Sequence, residues 1–192
     1  MSSRPIATTR HTAGMPTGRL AVWWLIASEI VIFGGLLTSY VMFRLSHDAF
    51  AAQAAHTNTW IGAFNTFVLL TSSLFAVLGH QAAEEGDGRK AANMLYLTSI
   101  GGLVFLGIKF IYEWPSEIAH GFTISSSTFW SFYYTAAGLH ALHVAAGVVI
   151  LLIIAAQARR NEDLHRVELI GIYWHFVDIV WIFLFPLLYI AK

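Results

Sequence analysis

The chain contains no cysteine among its 192 residues. This absence excludes disulfide bonds, thiolate metal sites and a cysteine nucleophile. Charged residues are scarce as well, at 11% of the sequence, whereas a soluble domain carries about 25%. The formal net charge is zero, so the composition gives no indication of a nucleic-acid partner. Walker-type phosphate loops, nucleophile triads and dinucleotide-binding loops are also missing from the sequence.

Long apolar runs, in contrast, are abundant, and hydrophobic residues make up 57% of the chain. Five runs are each long enough for a transmembrane helix, which needs roughly 20 mostly apolar residues. They are Arg19–Leu45, Thr59–His80, Ala91–Trp114, Thr128–Ala158 and Val167–Tyr189. The runs do not alternate and they exceed the ~10 residues of a barrel strand, so strands are not expected. The sequence therefore predicts an all-α integral membrane bundle of five transmembrane helices.

Basic residues predict the orientation of the bundle, because short cytoplasmic loops carry an excess of lysine and arginine. Of the 11 such residues, all but three fall on one side of the predicted membrane. That side holds Arg4, Arg10, Arg19, Arg89, Lys90, Arg159, Arg160 and Arg166, and the other side holds Arg44, Lys109 and Lys192. We expect residues 1–18 to be a polar cytoplasmic tail, since they lack the apolar core of a signal peptide. Residues 19–192 are expected to form one membrane domain, with the C-terminus outside.

One carboxyl group is predicted near the middle of the bilayer. Glu29 lies about ten residues into the first run. An acid at that depth should be protonated or paired, since a bare carboxylate is costly in lipid. Two interpretations stay open: a carboxyl that exchanges protons, or a neutral acid bonded to a neighbouring helix.

Four further ionisable residues are predicted at membrane depth. His140 and His143 share a face of the fourth run, and His175 and Asp178, also three residues apart, share a face of the fifth. Together they could supply the three or four ligands that a metal site needs. Alternatively, they hydrogen-bond one another across helices and hold the bundle in register, which is the interpretation we favour. No metal ligand and no catalytic residue is therefore assigned.

The remaining candidates have structural interpretations. Lys109 and Glu113 are four residues apart, which predicts an intrahelical ion pair, and Glu113 joins the predicted polar network. Trp23 and Trp24 are typical of membrane-interface anchors. With Arg159 and Arg160, they are the candidates for contact with lipid headgroups.

Several motifs, in collinear order from about Arg19 to the C-terminus, carry a resemblance to a known family. They are Ser28–Phe33 (SEIVIF), Asn65–Ser72 (NTFVLLTS), Glu85–Asp87 (EGD), Tyr112–Trp114 (YEW), Phe122–Ser125 (FTIS), Ala137–Val144 (AGLHALHV) and Tyr173–Trp181 (YWHFVDIVW). The chain resembles subunit III of the haem-copper terminal oxidases (cytochrome c oxidase subunit 3), in its short five-helix bacterial form.

The resemblance implies an accessory subunit without a redox centre of its own. Haem and copper are then expected in subunits I and II, and phospholipid is expected at the contact with subunit I, in a bacterial cytoplasmic membrane. The complex reduces oxygen to water and pumps protons. Glu29 matches the family's carbodiimide-reactive glutamate, which implies a role in proton uptake. The chain departs from the family in lacking the first two of seven helices and in placing Lys109 where a glutamine or similar polar residue is usual.

Two other functions were considered, one with a different partner complex and one in a different class of protein. A subunit III-like protein could serve a quinol oxidase or a nitric oxide reductase. A small proton-coupled transporter using Glu29 and His175 is disfavoured, because internal repeats and broken helices, which are common in transporters, are not visible in the sequence.

Overall fold

The computed structural model describes residues 11–12, 15–47 and 49–191. Seven α-helices are present in these ranges. They are α1 Thr17–Ser46, α2 Ala49–Ala54, α3 Thr59–Glu84, α4 Gly88–Gly107, α5 Trp114–Ala119, α6 Thr128–Ala158 and α7 His165–Phe185. Two π-helical segments, Ile108–Glu113 and Pro186–Ile190, follow α4 and α7 without a break. Ahead of α1, the two-residue strands β1 (His11–Thr12) and β2 (Met15–Pro16) pair antiparallel.

Five helical units have the length and apolar composition to cross a membrane. They are Thr17–Ser46, Thr59–Glu84, Gly88–Ala119, Thr128–Ala158 and His165–Ile190. The predicted all-α bundle of five transmembrane helices is confirmed, and its fourth span has the predicted bounds. The other four spans run one to five residues beyond at least one of their predicted ends, because the helices continue through the polar residues that flank each apolar run. Residues 1–10 and 13–14 of the predicted tail and Lys192 lie outside the described residues. The predicted sides of the membrane for Arg4, Arg10 and Lys192 therefore stay predictions.

Side-chain caps set the start of three of the long helices. Asn58 accepts hydrogen bonds from the backbone N–H groups of Trp60 and Ile61, at 3.1 and 3.3 Å, and so begins α3. Asp87 accepts from the Lys90 N–H at 2.9 Å and begins α4. The side chain of Ser127 caps α6 in the same way. Each cap satisfies N–H groups that the first turn of a helix leaves without a partner.

The core of the bundle lies between α3, α4, α6 and α7, and one tryptophan fills its centre. Trp174 of α7 is fully buried and packs against Gly102 of α4 and Gly147 of α6. Its indole N–H donates to the Ser72 hydroxyl of α3 at 3.1 Å. The two glycines let the backbones approach the ring closely, which is the usual role of small residues between membrane helices.

Helix α1 is attached to this core along a narrow seam. Its buried residues are Ile26, Phe33 and Tyr40, which are spaced seven apart. A seven-residue spacing places them on one stripe of the helix. At the end of that stripe the Tyr40 hydroxyl donates to the Leu187 carbonyl at 2.7 Å. Most of the α1 surface is therefore open to lipid or to a partner protein.

Proline accounts for the position of both π-helical segments. Pro115 lies two residues after the end of the first segment, and Pro186 opens the second. A proline ring clashes with the carbonyl one turn earlier, so an α-helix cannot continue regularly through it. The backbone widens instead, and the Ala191 N–H donates to the Pro186 carbonyl five residues earlier at 2.8 Å. The first widened turn carries Lys109 and Glu113 into the core.

Candidate functional site

A buried cluster of four side chains, here called the lysine–tyrosine cluster, consists of Lys109, Glu113, Tyr133 and Tyr189. The Lys109 ammonium lies 3.1 and 2.9 Å from the two carboxylate oxygens of Glu113. Tyr133 donates to the same carboxylate at 2.7 Å, and Tyr189 also bonds to it. The side chains of Lys109 and Glu113 are 0% and 2% exposed. The predicted ion pair between Lys109 and Glu113 is thus present, and it is completely removed from lipid and water.

Aromatic rings surround the ammonium group of this cluster. Lys109 Nζ lies 4.9 Å from the ring centroid of Trp181 and 4.8 Å from that of Tyr189. A cation within about 6 Å of a ring face is attracted by the negative face of the ring. The cluster connects three parts of the chain, which are α6, the π-helical segment after α4 and the final π-helical segment. Tyr133 and Tyr189 were not predicted from the sequence, because nothing in an apolar run indicates which residue the hydroxyl of a tyrosine will contact.

Glu29 meets a histidine from another helix. Its Oε2 lies 3.1 Å from Nε2 of His143 on α6, and the two side chains are 14% and 15% exposed. His143 Nδ1 lies 2.8 Å from the Leu139 carbonyl. Since a carbonyl can only accept, Nδ1 carries a proton, and Nε2 faces the carboxyl. The contact therefore joins α1 to α6 through two ionisable side chains.

A groove in the bundle surface runs beside the Glu29–His143 pair. A cavity of about 370 Å³ lies there, lined by apolar residues of α1, α6 and α7, by Tyr173 and by His143 itself. The Tyr173 hydroxyl donates to the His143 carbonyl at 3.1 Å. His143 thus connects the pair to an apolar groove at the surface of the bundle.

The other ionisable candidates do not form the mutually bonded set that the sequence favoured. His175 Nδ1 lies 2.6 Å from the Ser73 hydroxyl of α3. Asp178, 3% exposed, receives no hydrogen bond from the described residues, although Ser73 lies near it. His140 is fully buried and, within the same part of the chain, has no hydrogen bond at either ring nitrogen.

His140 and His143 point towards different neighbouring helices because of their spacing on α6. Residues three apart on an α-helix differ by about 60° around its axis. His143 therefore faces α1, while His140 stacks on Trp181 of α7, with the ring centroids 5.1 Å apart. Over the described ranges, no group of three or more His, Asp or Glu side chains is placed to hold a metal ion.

The end of the bundle that carries residues 84–90 and 158–166, here called the basic end, includes the arginines that were predicted to contact lipid headgroups. Arg159 and Arg160 are exposed where α6 ends. Trp23 and Trp24, 54% and 71% exposed, point away from the core near the start of α1. These exposures are compatible with contact to lipid, and the roles of all four residues stay predictions.

The fold and these contacts define a class: a multi-pass membrane protein whose ionisable groups in the middle of its spans are paired or buried among tightly packed helices. Comparison with known proteins is more specific. The family model described as cytochrome c oxidase subunit III matches residues 4–192. The cytochrome c oxidase subunit 3 of Thermostichus vulcanus is 33% identical over 170 residues, covering 86% of this chain and 83% of the relative. That of Corynebacterium diphtheriae is 33% identical over 174 residues, covering 87% and 84%.

A third relative joins two subunits in one polypeptide. The haem-copper oxidase subunit I+III of Aeropyrum pernix is 28% identical over 184 residues, covering 90% of this chain and 22% of the relative. The chain belongs to the cytochrome c oxidase subunit III family. Membership makes it an accessory subunit of a haem-copper oxidase.

Proposed function

We propose that this chain is the accessory, non-redox subunit III of a cytochrome c oxidase in a bacterial cytoplasmic membrane. It packs against subunit I, in a complex that also contains subunit II. Oxygen reduction to water and proton pumping take place on the haem and copper of those partner subunits. The observation that carries the proposal is the family match over residues 4–192. The joined subunit I+III relative supports subunit I as the direct neighbour.

The chain acts in this complex as a stabilising and lipid-holding part. Its weakly buried α1 and the open groove beside His143 leave apolar surface that needs to be covered in the membrane. Phospholipid at the contact with subunit I covers such surface, with Arg159, Arg160, Trp23 and Trp24 at the headgroup level. The orientation that fits the charge distribution has the basic end in the cytoplasm and the C-terminus outside.

The Glu29–His143 pair gives the chain a part in proton uptake. Two ionisable groups from different helices lie 3.1 Å apart here, beside an apolar groove at the bundle surface. A carboxyl and an imidazole this close can pass a proton from one to the other, and each partner stabilises the charge that the other carries. His140, His143, His175, Asp178 and Glu113 otherwise serve to hold the helices in place.

The test is purification of the native complex through an affinity tag on this chain, in a mild detergent. Haem and copper are expected to copurify with the chain, together with subunits I and II, and the preparation should oxidise reduced cytochrome c. A preparation that oxidises quinol but not cytochrome c would assign the chain to a quinol oxidase, and one that reduces nitric oxide would assign it to a nitric oxide reductase. A chain that purifies without any haem-bearing partner would overturn the proposal.

A further inference from the structure

The segment that follows α7, residues 186–191 and here called the strap, is held by side chains from other parts of the chain. The last turn of a helix leaves backbone carbonyls without a partner in the helix. In the strap, four carbonyls accept from side chains, and the donor and acceptor residues are Tyr40 and Leu187 at 2.7 Å, Thr57 and Leu188 at 3.1 Å, Thr59 and Tyr189 at 2.9 Å, and Arg44 and Ala191. The backbone of the strap is therefore fixed by contacts from outside α7.

The donors come from two regions that are separate in sequence. Tyr40 and Arg44 lie one turn apart on α1. Thr57 precedes the cap of α3, and Thr59 is the first residue of that helix. The buried stripe of α1 ends at Tyr40. The strap therefore connects this end of α1 to the start of α3.

The strap also reaches the core, through the side chain of Tyr189. The hydroxyl of this residue donates to Glu113, accepts from Lys109 and lies 2.9 Å from the hydroxyl of Tyr133. Tyr189 is 0% exposed, and its carbonyl is the one that Thr59 holds. The position of a single residue thus completes the lysine–tyrosine cluster and depends on the backbone contacts of the strap.

A proline separates the strap from the regular part of α7. Pro186 has no N–H to donate to the preceding turn, and its ring prevents a regular α-helix from continuing. Proteins open locally in short contiguous units of this kind while the rest of the fold stays intact. The strap can therefore leave the bundle as one unit while α7 stays folded. Because it follows all five spans in the sequence, it docks after they have been made.

We propose that the strap is a conformational device that couples the seating of α1 to the closure of the lysine–tyrosine cluster. When the strap is docked, its carbonyls hold Tyr40 and Arg44, and its Tyr189 side chain closes the cluster. When the strap undocks, both sets of contacts are lost together. Seating of α1 therefore favours closure of the cluster, and closure favours seating by the same factor. The inference goes beyond the proposed function, since it concerns contacts within this chain alone.

The first experiment measures undocking of the strap with a single cysteine. Leu188, 1% exposed, is replaced by cysteine in the otherwise cysteine-free full chain, which is reconstituted in lipid nanodiscs. A small water-soluble methanethiosulfonate reagent modifies this thiol only while the strap is undocked, so the rate of modification reports the undocked population. In Y40F/T59V the strap loses two donors. The rate should rise at least about tenfold, since each hydrogen bond contributes a factor of several to the equilibrium.

The matched control removes one tyrosine and one threonine hydroxyl that bond elsewhere. Tyr134 donates to the Phe122 carbonyl at 2.8 Å, and Thr71 donates to the Phe67 carbonyl at 2.8 Å. Y134F/T71V, built into the same cysteine-bearing chain, should react at the rate of the parent. An equal increase in this control would overturn the proposal, because loss of hydroxyl groups anywhere in the bundle would then open the strap. Unchanged reactivity of the chain that lacks the two strap donors would overturn it as well.

The second experiment tests the coupling with a variant that does not alter α1. Tyr189→Phe removes the hydroxyl from the lysine–tyrosine cluster and leaves the carbonyls of the strap in place. Spin labels at Leu45 of α1 and at Ile111, which are 82% and 80% exposed, report the position of α1 by pulsed EPR distance measurement. The parent chain is expected to give a narrow distance distribution. Y189F should give a broader one, because the strap undocks more often and releases Tyr40 and Arg44.

The two measurements together decide the proposal. If Y189F increases the reactivity of Leu188→Cys while the EPR distances stay as in the parent chain, the strap and α1 move independently and the proposal is wrong. Parent-like reactivity of Y189F would also contradict it, since the cluster would then not hold the strap. If Y40F/T59V does not fold, Y40F and T59V are measured singly, each with a smaller expected increase. Parent-like rates in both single variants would refute the coupling.

Discussion

The Lys109–Glu113 ion pair shows how a single residue can be costly in one context and stabilising in another. A lone ammonium in the membrane interior is strongly unfavourable. Here its charge is matched by Glu113, and the carboxylate in turn accepts from Tyr133. Because every member depends on the others, loss of one member should cost more than loss of the whole pair.

Lys109→Met is therefore expected to lower the free energy of unfolding by about 3–5 kcal/mol, because the Glu113 carboxylate stays buried without its cation. The double variant K109M/E113L should recover most of the loss, since Tyr133 and Tyr189 still bond each other at 2.9 Å. Reversible denaturation of the chain in mixed micelles with SDS measures both values. Lys90→Gln, at an exposed cation, is the control, and a K109M variant as stable as that control would contradict the argument.

The Glu29–His143 pair leads to a second prediction at this scale. Glu29→Ala should leave assembly of the complex largely intact and abolish carbodiimide labelling of the chain at this position, because the reagent needs a protonated carboxyl in an apolar setting. His143→Leu should increase the labelling, since the carboxyl then has no base to accept its proton. Mass spectrometry of the labelled peptide measures both effects. Labelling that is unchanged in the Glu29→Ala chain would show that another carboxyl is the reactive one.

The contact between Trp174 and two glycines determines how closely the central helices pack. An added Cβ at Gly147 would lie 2.9 Å from Trp174 Cζ3, and one at Gly102 would lie 2.7 Å from Cη2. These distances are shorter than van der Waals contact. The indole cannot easily move away, because its N–H is held by Ser72.

Gly147→Ala is expected to destabilise the chain by about 1–3 kcal/mol, the typical cost of forcing a larger side chain into a packed core. Gly34→Ala on α1 is the matched control, since an added Cβ there meets nothing within 4 Å. The same SDS denaturation measures the difference. Equal stabilities of the two alanine variants would mean that the helices shift at no cost, contrary to the packing described.

The elements themselves were largely predictable from the sequence, whereas their side-chain partners were not. Runs of apolar residues determine where a membrane helix lies, and the span Thr128–Ala158 has the predicted bounds. The widened turn at Ile108–Glu113 was missed, because a π-helix has the same composition as an α-helix. The pairing of Glu29 with His143 was missed for another reason. It depends on how α1 and α6 are rotated about their axes. Both helices are apolar on nearly all sides, so the sequence does not indicate which face of each helix turns inward.

At the scale of the whole molecule, the absence of cysteine makes the orientation directly measurable. Single cysteines can be introduced at Glu162, in the loop of the basic end, and at Ser125, in a loop at the opposite end, both of which are exposed. A membrane-impermeant maleimide should label Ser125→Cys in intact cells and Glu162→Cys only after permeabilisation, since basic loops stay in the cytoplasm. The cysteine-free parent chain is the control. The reverse pattern would place the basic end outside.

The narrow seam of α1 has a consequence for how the protein can be assembled. Four helices share the compact interior, while α1 adheres through one stripe and a few polar contacts such as the Tyr40–Leu187 hydrogen bond. A chain divided in the segment between α1 and α3 should therefore be able to reassociate from two coexpressed fragments. The first helix would then insert into the membrane as a separate unit and bind afterwards to a four-helix bundle that is already folded.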